Sequence, residues 1–434
     1  MAINVELLRR LCQAPGIAAR EDAVARVVVE ELGPLVDEIR SDALGNVIAT
    51  KRGQGGPRVM LAAHMDEIGF IVRYVDDKGF LRLHPVGGFD GRALFAQRVH
   101  VHTREGSLRG VLNAEAKPIH LLKGEKPEAP KVDDYFVDLG LPAETVTARV
   151  RVGDMVTMDR ATEEIGDCVT SKALDDRAGV FVMIEALRHL RAHTAEIVAV
   201  ATVQEEVGLR GATPAGYSVE PDIVVAIDGT LALDVPGTPE RDAITHVGGG
   251  AAIKIMDSSL ICDPRIVEAF RDIAEREGIA HQMEILPAGG TDAGGIQRVR
   301  AGILSFTLSI PTRYVHTVDE LAAMSDIEAC YTLLARFLEQ AQDFGIVDSL
   351  GRAYGRETDR SHPGDGAVAR CRGRAGTAGP GALAGAARAA RDTGLSQRDV
   401  AGAPAAHIAR VRPYRRLDHD PGIGRRGHGA GRRP

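Results

Sequence analysis

The chain has 434 residues, of which 44% are apolar and 26% charged; this composition supports a large hydrophobic core and excludes a wholly disordered, collagen-like or disulfide-scaffold protein. The net charge of -7 hides an asymmetry: residues 351–434 hold 17 Arg, no Lys and 7 acidic residues, a balance of +10, which leaves the first 350 residues at -17. No run of 18 apolar residues marks a membrane span, the N-terminus carries charges where a signal peptide needs its apolar stretch, and five Cys without a CxxC pair fit reduced thiols in the cytoplasm.

Apolar spacing over residues 3–12 predicts a helix, APGIAARED a turn and cap, and EDAVARVVVEELGPL a second helix. VDEIRSDALGNVIATKRG reads as a hairpin about a Gly-Asn turn, and PRVMLAA as a buried strand. From about Phe70 to Thr170, short β-like runs separated by turn residues predict a small barrel or sandwich. Helix and strand then alternate: DRAGVFVMIEALRHLRA, EIVAVATVQ, DIVVAIDGT, DPRIVEAFRDIAEREG, AGILSFTLSI and DIEACYTLLARFLEQAQDF. Near-continuous apolar strands between helices predict an α/β fold with a mainly parallel sheet covered on both faces. The expected organisation is an α/β domain built from residues 1–68 and 166–347, interrupted by a β-barrel-like domain over 69–165 and followed by a tail over 351–434. The tail is rich in Arg, Gly and Ala, with too few large apolar residues to offset its ordering entropy, so disorder is expected there. A dispensable extension or a shifted reading frame in a GC-rich gene fits that composition better than a nucleic-acid-binding arm.

Chemistry-bearing residues follow the apolar strands. VMLAA leads into His64-Met65-Asp66, EIVAVATVQ into Glu205-Glu206, DIVVAI into Asp228 and ILSFTLSIPTRYV into His316, while Asp175-Asp176 open the helix after the β-rich segment. In an open α/β sheet, ligands bind beyond the C-terminal ends of the strands. Alone, each of these residues has a structural explanation, such as a turn, a helix cap or a solvated strand end. Together they bring imidazole and carboxylate from distant segments, a set that suits Zn²⁺, Co²⁺ or Mn²⁺. There are more of them than one tetrahedral ion needs, and they suit two ions about 3.5–4 Å apart sharing a carboxylate. Asp175, Glu206 and Asp228 with one hydroxide balance four positive charges, which leaves Glu205 free as a base. LPAGGTDAGGI (286–296) carries Thr291 and Asp292 in a Gly-rich loop that lacks GxGxxG and GK[ST], so a substrate wall is expected rather than a phosphate cradle. His100 and His102 alternate on one predicted strand and form a weaker candidate metal pair.

Three rival activities are open to these residues. A carboxypeptidase or an amino-acid deacylase would need a cation for a substrate carboxylate, and Arg177, Arg210 and Arg313 lie near the motifs. A glycosidase could use two carboxylates, but the chain has no Trp and only 4% aromatic residues to stack a sugar. A metal-stabilised scaffold without catalysis is the third, and Glu205 argues against it.

The segments AAHMDEIGF, SKALDDRAG, QEEVGLRGA, AIDGT, AGGTDAGGI and RYVHT, in this order within residues 3–345, resemble the M42 family of metallo-aminopeptidases. The resemblance implies that His64, Asp175 and Asp228 bind one ion and that Asp175, Glu206 and His316 bind the other. Asp175 or its neighbour Asp176 would bridge the two. Glu205 would be the general base, and Asp66 would accept the second N–H of His64 and orient the ring. Thr291, Asp292 and Arg313 would lie on the substrate side. The implied reaction is removal of N-terminal residues from peptides, with two Zn²⁺ or Co²⁺ ions per subunit. The inserted domain would serve a homodimer, and dimers in this family can build a dodecamer. Members usually end near the last predicted helix, so the tail departs from the family.

Overall fold

The computed structural model describes residues 3–122 and 128–343; the expected tail over 351–434 lies outside the described residues. Helices α1 (Val5–Gln13) and α2 (Asp22–Leu32) come first, then a hairpin of β1 (Glu38–Ser41) and β2 (Val47–Lys51), then β3 (Arg58–His64). Six strands follow: β4 (Gly69–Val75), β5 (Leu81–Val86), β6 (Gln97–Thr103), β7 (Gly106–Ala114), β8 (Tyr135–Asp138) and β9 (Met155–Met158), with α3 (Ala143–Arg149) between the last two. β10 (Glu163–Ile165) and β11 (Cys168–Ser171) lead to α4 (Leu174–Arg188), β12 (Glu196–Thr202), α5 (Ala212–Val219) and β13 (Ile223–Leu231). The last part holds β14 (Ala251–Met256), α6 (Pro264–Glu277), β15 (His281–Ile285), α7 (Asp292–Ile296), β16 (Leu304–Arg313), β17 (Glu320–Ala323) and α8 (Met324–Gln340).

Eleven strands form one sheet in the order β1-β2-β12-β3-β13-β16-β17-β11-β10, with β14 pairing β16 and β15 pairing β14. The four central strands, β12, β3, β13 and β16, are parallel to one another. Outward from them the pairings turn antiparallel, apart from β14 with β15. The sheet is therefore mixed, and the expectation of a mainly parallel one holds only for its centre. Chain connectivity gives the reason. A parallel pair needs a long crossover, whereas the short links from β1 to β2, β10 to β11 and β16 to β17 can close only antiparallel pairs.

Strict alternation on the central strands buries both faces of the sheet. Val59, Leu61 and Ala63 of β3 pack into the larger core with α1, α2, α4, α6 and α8. Met60 and Ala62 of the same strand face a smaller core with Ala212, Ala215 and Val219 of α5 and Ile296 of α7. The middle of α4 is buried all round, from Ala178 to Leu187, which is why its sequence shows no polar stripe. Between β3 and β10 the chain closes a six-stranded barrel, β4-β5-β8-β7-β6-β9, and closure leaves no free strand edge. Phe70, Val72, Leu81, Val99, Leu112, Val137 and Val156 fill it.

A fully buried charged pair sits within the apolar interior. Lys254 on β14 and Glu284 on β15 are side by side in register and fully buried. The Lys254 ammonium donates to Glu284 Oε1, and the Thr230 hydroxyl donates to the same oxygen at 2.5 Å.

Candidate metal centre

The parallel strands share one C-terminal edge, and the register there sets Thr202 beside His64 and Asp228 beside Ser309. His64 is the last residue of β3, and Glu205 and Glu206 follow the end of β12. Asp228 lies within β13, which continues to Leu231, and His316 lies in the turn between β16 and β17. Asp175 comes from the opening of α4, where the backbone is not yet helical (ψ 108° at Asp175, φ -118° at Asp176). The Asp175–Asp176 peptide is cis.

These side chains converge. His64 Nε2 lies 3.1 Å from Asp175 Oδ1 and 3.9 Å from Glu205 Oε2. His316 Nε2 lies 3.3 Å from Glu206 Oε1 and 3.6 Å from Asp175 Oδ2. Three overlapping groups each bring their ligand atoms within 4.8 Å of one another: His64 with Asp175 and Asp228, Asp175 with Glu206 and His316, and His64 with Glu205 and Glu206. Asp175 joins the first two groups, each oxygen facing a different imidazole. Asp176 belongs to none of the three; its carboxylate accepts the N–H of His64 at 3.2 Å and of Gly179 at 3.0 Å.

The electrostatics of this cluster call for cations. Burial pushes the carboxyls of Glu205 and Asp228 well above the ordinary range, and neighbouring carboxylates add to it. Burial pulls His64 and His316 down, but the carboxylates around them outweigh it and hold both up, His316 at about 10. Asp175 is buried too, yet its contacts with the two imidazoles keep it low. So many acids in so small a volume must be balanced by protons or by metal ions, and mixed imidazole–carboxylate donors suit borderline divalent ions.

A supporting shell holds the ligands. The Asp66 carboxylate accepts the backbone N–H of Glu205 at 2.9 Å and of Glu206 at 3.1 Å. The His64 ring is met more closely by the Asp66 carbonyl, 3.0 Å from Nδ1, than by the carboxylate at 3.5 Å. The sequence expectation put that task on the carboxylate, but residue spacing cannot separate two acceptors of one residue. Glu320, which the sequence reading missed, is buried and accepts the N–H of both Asp175 (3.0 Å) and His316 (2.8 Å); burial lifts its carboxyl to about 8. Its only signal is an acid four residues after His316.

Gly87 and Gly88, past the end of β5, were missed as well. A Cβ on Gly88 would sit 3.4 Å from His316 Nδ1, and one on Gly87 would sit 3.3 Å from Glu206 Oε2 and 2.5 Å from Ile68 Cγ2. The barrel thus presses bare backbone against two candidate ligands. Gly87 also has φ +89°. Gly87→Ala should lower stability by about 1–3 kcal/mol and slow turnover, through strain and overpacking. Gly55→Ala, at φ +111° with nothing within 4 Å, isolates the backbone cost. Equal unfolding midpoints and rates for the two variants would refute the tight contact.

A cavity of about 480 Å³ opens over the cluster, and Thr291 contributes to its wall. The Thr291 hydroxyl lies 2.9 Å from Thr307 Oγ1 and 3.3 Å from Asp257 Oδ2. Asp292, at the start of α7 rather than in an open loop, accepts the Thr202 hydroxyl, and burial raises its carboxyl to about 6. Arg313 is clamped by Asp234 at 2.6 and 2.5 Å. Arg177 is fully buried and donates to the carbonyls of Leu11, Ala14 and Gly16. Arg210 is exposed, and none of the three arginines lines the cavity. His100 and His102 lie elsewhere, on β6; His100 pairs with Asp159 at 3.2 Å and His102 with Thr157 at 2.9 Å. They join no ligand group among the described residues.

An edge of this kind, rich in imidazole and carboxylate under an open cavity, suits activation of water against an acyl group, the work of a hydrolase. The bond is a peptide bond: residues 45–333 match the M42 glutamyl aminopeptidase family, and the chain belongs to it. The chain is similar to the lysyl aminopeptidase of Pyrococcus furiosus, at 34% identity over 78% of this chain and 97% of that protein. It is also similar to the solved structure of an aminopeptidase from the archaeon Desulfurococcus kamchatkensis (39% identity, 77% of this chain, 94% of that one, TM-score 0.75). A third likeness is to the Pyrococcus horikoshii TET1 peptidase, described as assembling into a tetrahedron or a large octahedral shell (31% identity, 77% and 98% coverage, TM-score 0.69). Among the described residues, no helix is long and apolar enough to cross a membrane.

Proposed function

We propose that the chain is a metal-dependent aminopeptidase that removes N-terminal residues from peptides at a dinuclear site. The observation that carries this reading is Asp175, shared between two ligand groups with Glu205 alongside. His64, Asp175 and Asp228 would hold one ion, and Asp175, Glu206 and His316 the other. When bound, two Zn²⁺ or Co²⁺ ions supply Lewis-acid polarisation of the scissile carbonyl and make a water acidic enough to attack it at neutral pH. Glu205 takes the proton of that water on its carboxylate and passes it to the leaving amine nitrogen as the C–N bond breaks. Asp66 fixes the Glu205 and Glu206 backbone and so aims both side chains. Glu320 does the same for Asp175 and His316. The free α-amine of a peptide would bind a metal or an acidic group of the cluster, which favours cleavage at the N-terminus.

The rival activities lose support at the cavity wall. A carboxypeptidase or a deacylase needs a cation there, and Arg177 and Arg313 are committed elsewhere. A glycosidase needs an aromatic platform, and no Phe or Tyr is among the described residues lining the cavity. The TET1 likeness, with a second TET1 structure described as a dodecamer, supports a homo-oligomer; the barrel would be its dimerising element. Free Cys12, Cys168, Cys262 and Cys330 support a cytoplasmic location.

Elemental analysis should find two ions per chain, and chelation should abolish cleavage of aminoacyl p-nitroanilides, with Zn²⁺ or Co²⁺ restoring it. Asp175→Ala should lose bound metal, whereas Asp176→Asn should keep it. Full turnover after complete metal removal would end this reading, as would cleavage of N-acetylated substrates in preference to free amines.

A further inference from the structure

Away from the ligand cluster, the cavity is walled by Leu209, Leu231, Leu286, Ala288 and Val315. They come from four separate places: the loop after β12, the end of β13, the loop after β15 and the turn after β16. Among the described residues that line the cavity there is no Lys or Arg, and every acid belongs to the ligand cluster. The two hydroxyls of the wall are occupied. Thr230 donates to the buried Glu284, and Thr291 lies between Asp257 and Thr307. Arg313, the cation nearest in sequence to His316, is held by both oxygens of Asp234. A charged side chain entering this space would lose its water and find no partner, a cost that exceeds the effect of small differences in apolar size.

We propose that this apolar wall receives the side chain of the substrate's N-terminal residue, and that the chain selects neutral aliphatic residues such as Leu and Met over Glu, Asp and Lys. The proposal rests on the aminopeptidase reading and assigns its substrate class. Glycines 208, 229, 289 and 290, which complete the lining, add no side chain that would close the space to a branched residue.

The test is kcat/KM of the metal-loaded full chain on p-nitroanilides of Leu, Met, Ala, Glu and Lys. Leu and Met should exceed Glu and Lys at least about tenfold, and Leu should exceed Ala by a similar factor, the scale of one or two methylenes in an apolar pocket. A rate on Glu or Lys equal to that on Leu overturns the specificity and leaves the aminopeptidase intact. Failure on all five, with hydrolysis of N-acetyl-leucine, overturns the aminopeptidase and takes the proposal with it. Leu231→Ala should lower kcat/KM for the Leu substrate about tenfold more than for the Ala substrate. Equal losses on both would mark Leu231 as merely structural and refute its place in the wall. Leu209→Ala gives the same readout should Leu231→Ala not fold.

Discussion

Glu205→Gln should cut kcat at least about a hundredfold while the protein keeps its metal, a loss of about 2.7 kcal/mol in transition-state stabilisation. The amide matches the carboxylate in size but cannot take a proton near neutral pH. The backbone tether to Asp66 runs through the N–H of residue 205 and survives the change. The two groups built on Asp175 do not include Glu205, so their ligand atoms are untouched. Activity on a Leu p-nitroanilide and metal content by elemental analysis separate the outcomes. Near-normal kcat with both ions in place would remove Glu205 from proton transfer. Loss of metal would instead make Glu205 a ligand, as its proximity to His64 and Glu206 allows.

The second large effect is on stability. Lys254→Met should cost about 3–5 kcal/mol, because removing one member of a buried ion pair leaves the other charge without compensation. Glu284 is fully buried, and its Oε2 has no hydrogen-bond partner among the described residues. With the ammonium gone, only the Thr230 hydroxyl would remain on Oε1. The double variant Lys254→Met/Glu284→Leu should recover most of the loss, since apolar replacements of buried pairs are often neutral. Urea unfolding of the three proteins checks this. A single-variant loss under about 1 kcal/mol would show that water reaches the pair.

Much of the architecture was legible because apolar runs and turn chemistry are local. The helices at α1, α2, α4, α6 and α8, the first hairpin and the small barrel all lie where periodicity predicts them. The strand-end rule drew attention to His64, Glu205, Glu206, Asp228 and His316, and the sheet brings all five to one edge. What escaped was set by tertiary partners. β15 reads as polar because Glu284 finds its partners, Lys254 and Thr230, on other strands. Glu320 and Asp66 act on backbone N–H groups, which leave no trace in residue type. Gly87 and Gly88 matter for what they lack, and only packing against His316 and Glu206 reveals it. Arg177 and Arg313 looked available to a substrate, yet their guanidinium groups are spent on carbonyls and on Asp234.

His64 closes β3 and Asp175 opens α4, so the entire barrel is spliced in between two side chains 111 positions apart yet only 3.1 Å from each other. The ion held by His64, Asp175 and Asp228 would form a clasp across the base of the insertion. Closing so long a loop is entropically costly when it must happen unaided, and that bound ion would favour the closed arrangement by mass action. Metal supply would then govern how firmly the barrel is seated as well as whether a peptide is cut, and a chelated sample should become easier to nick by protease at the two junctions before it unfolds as a whole.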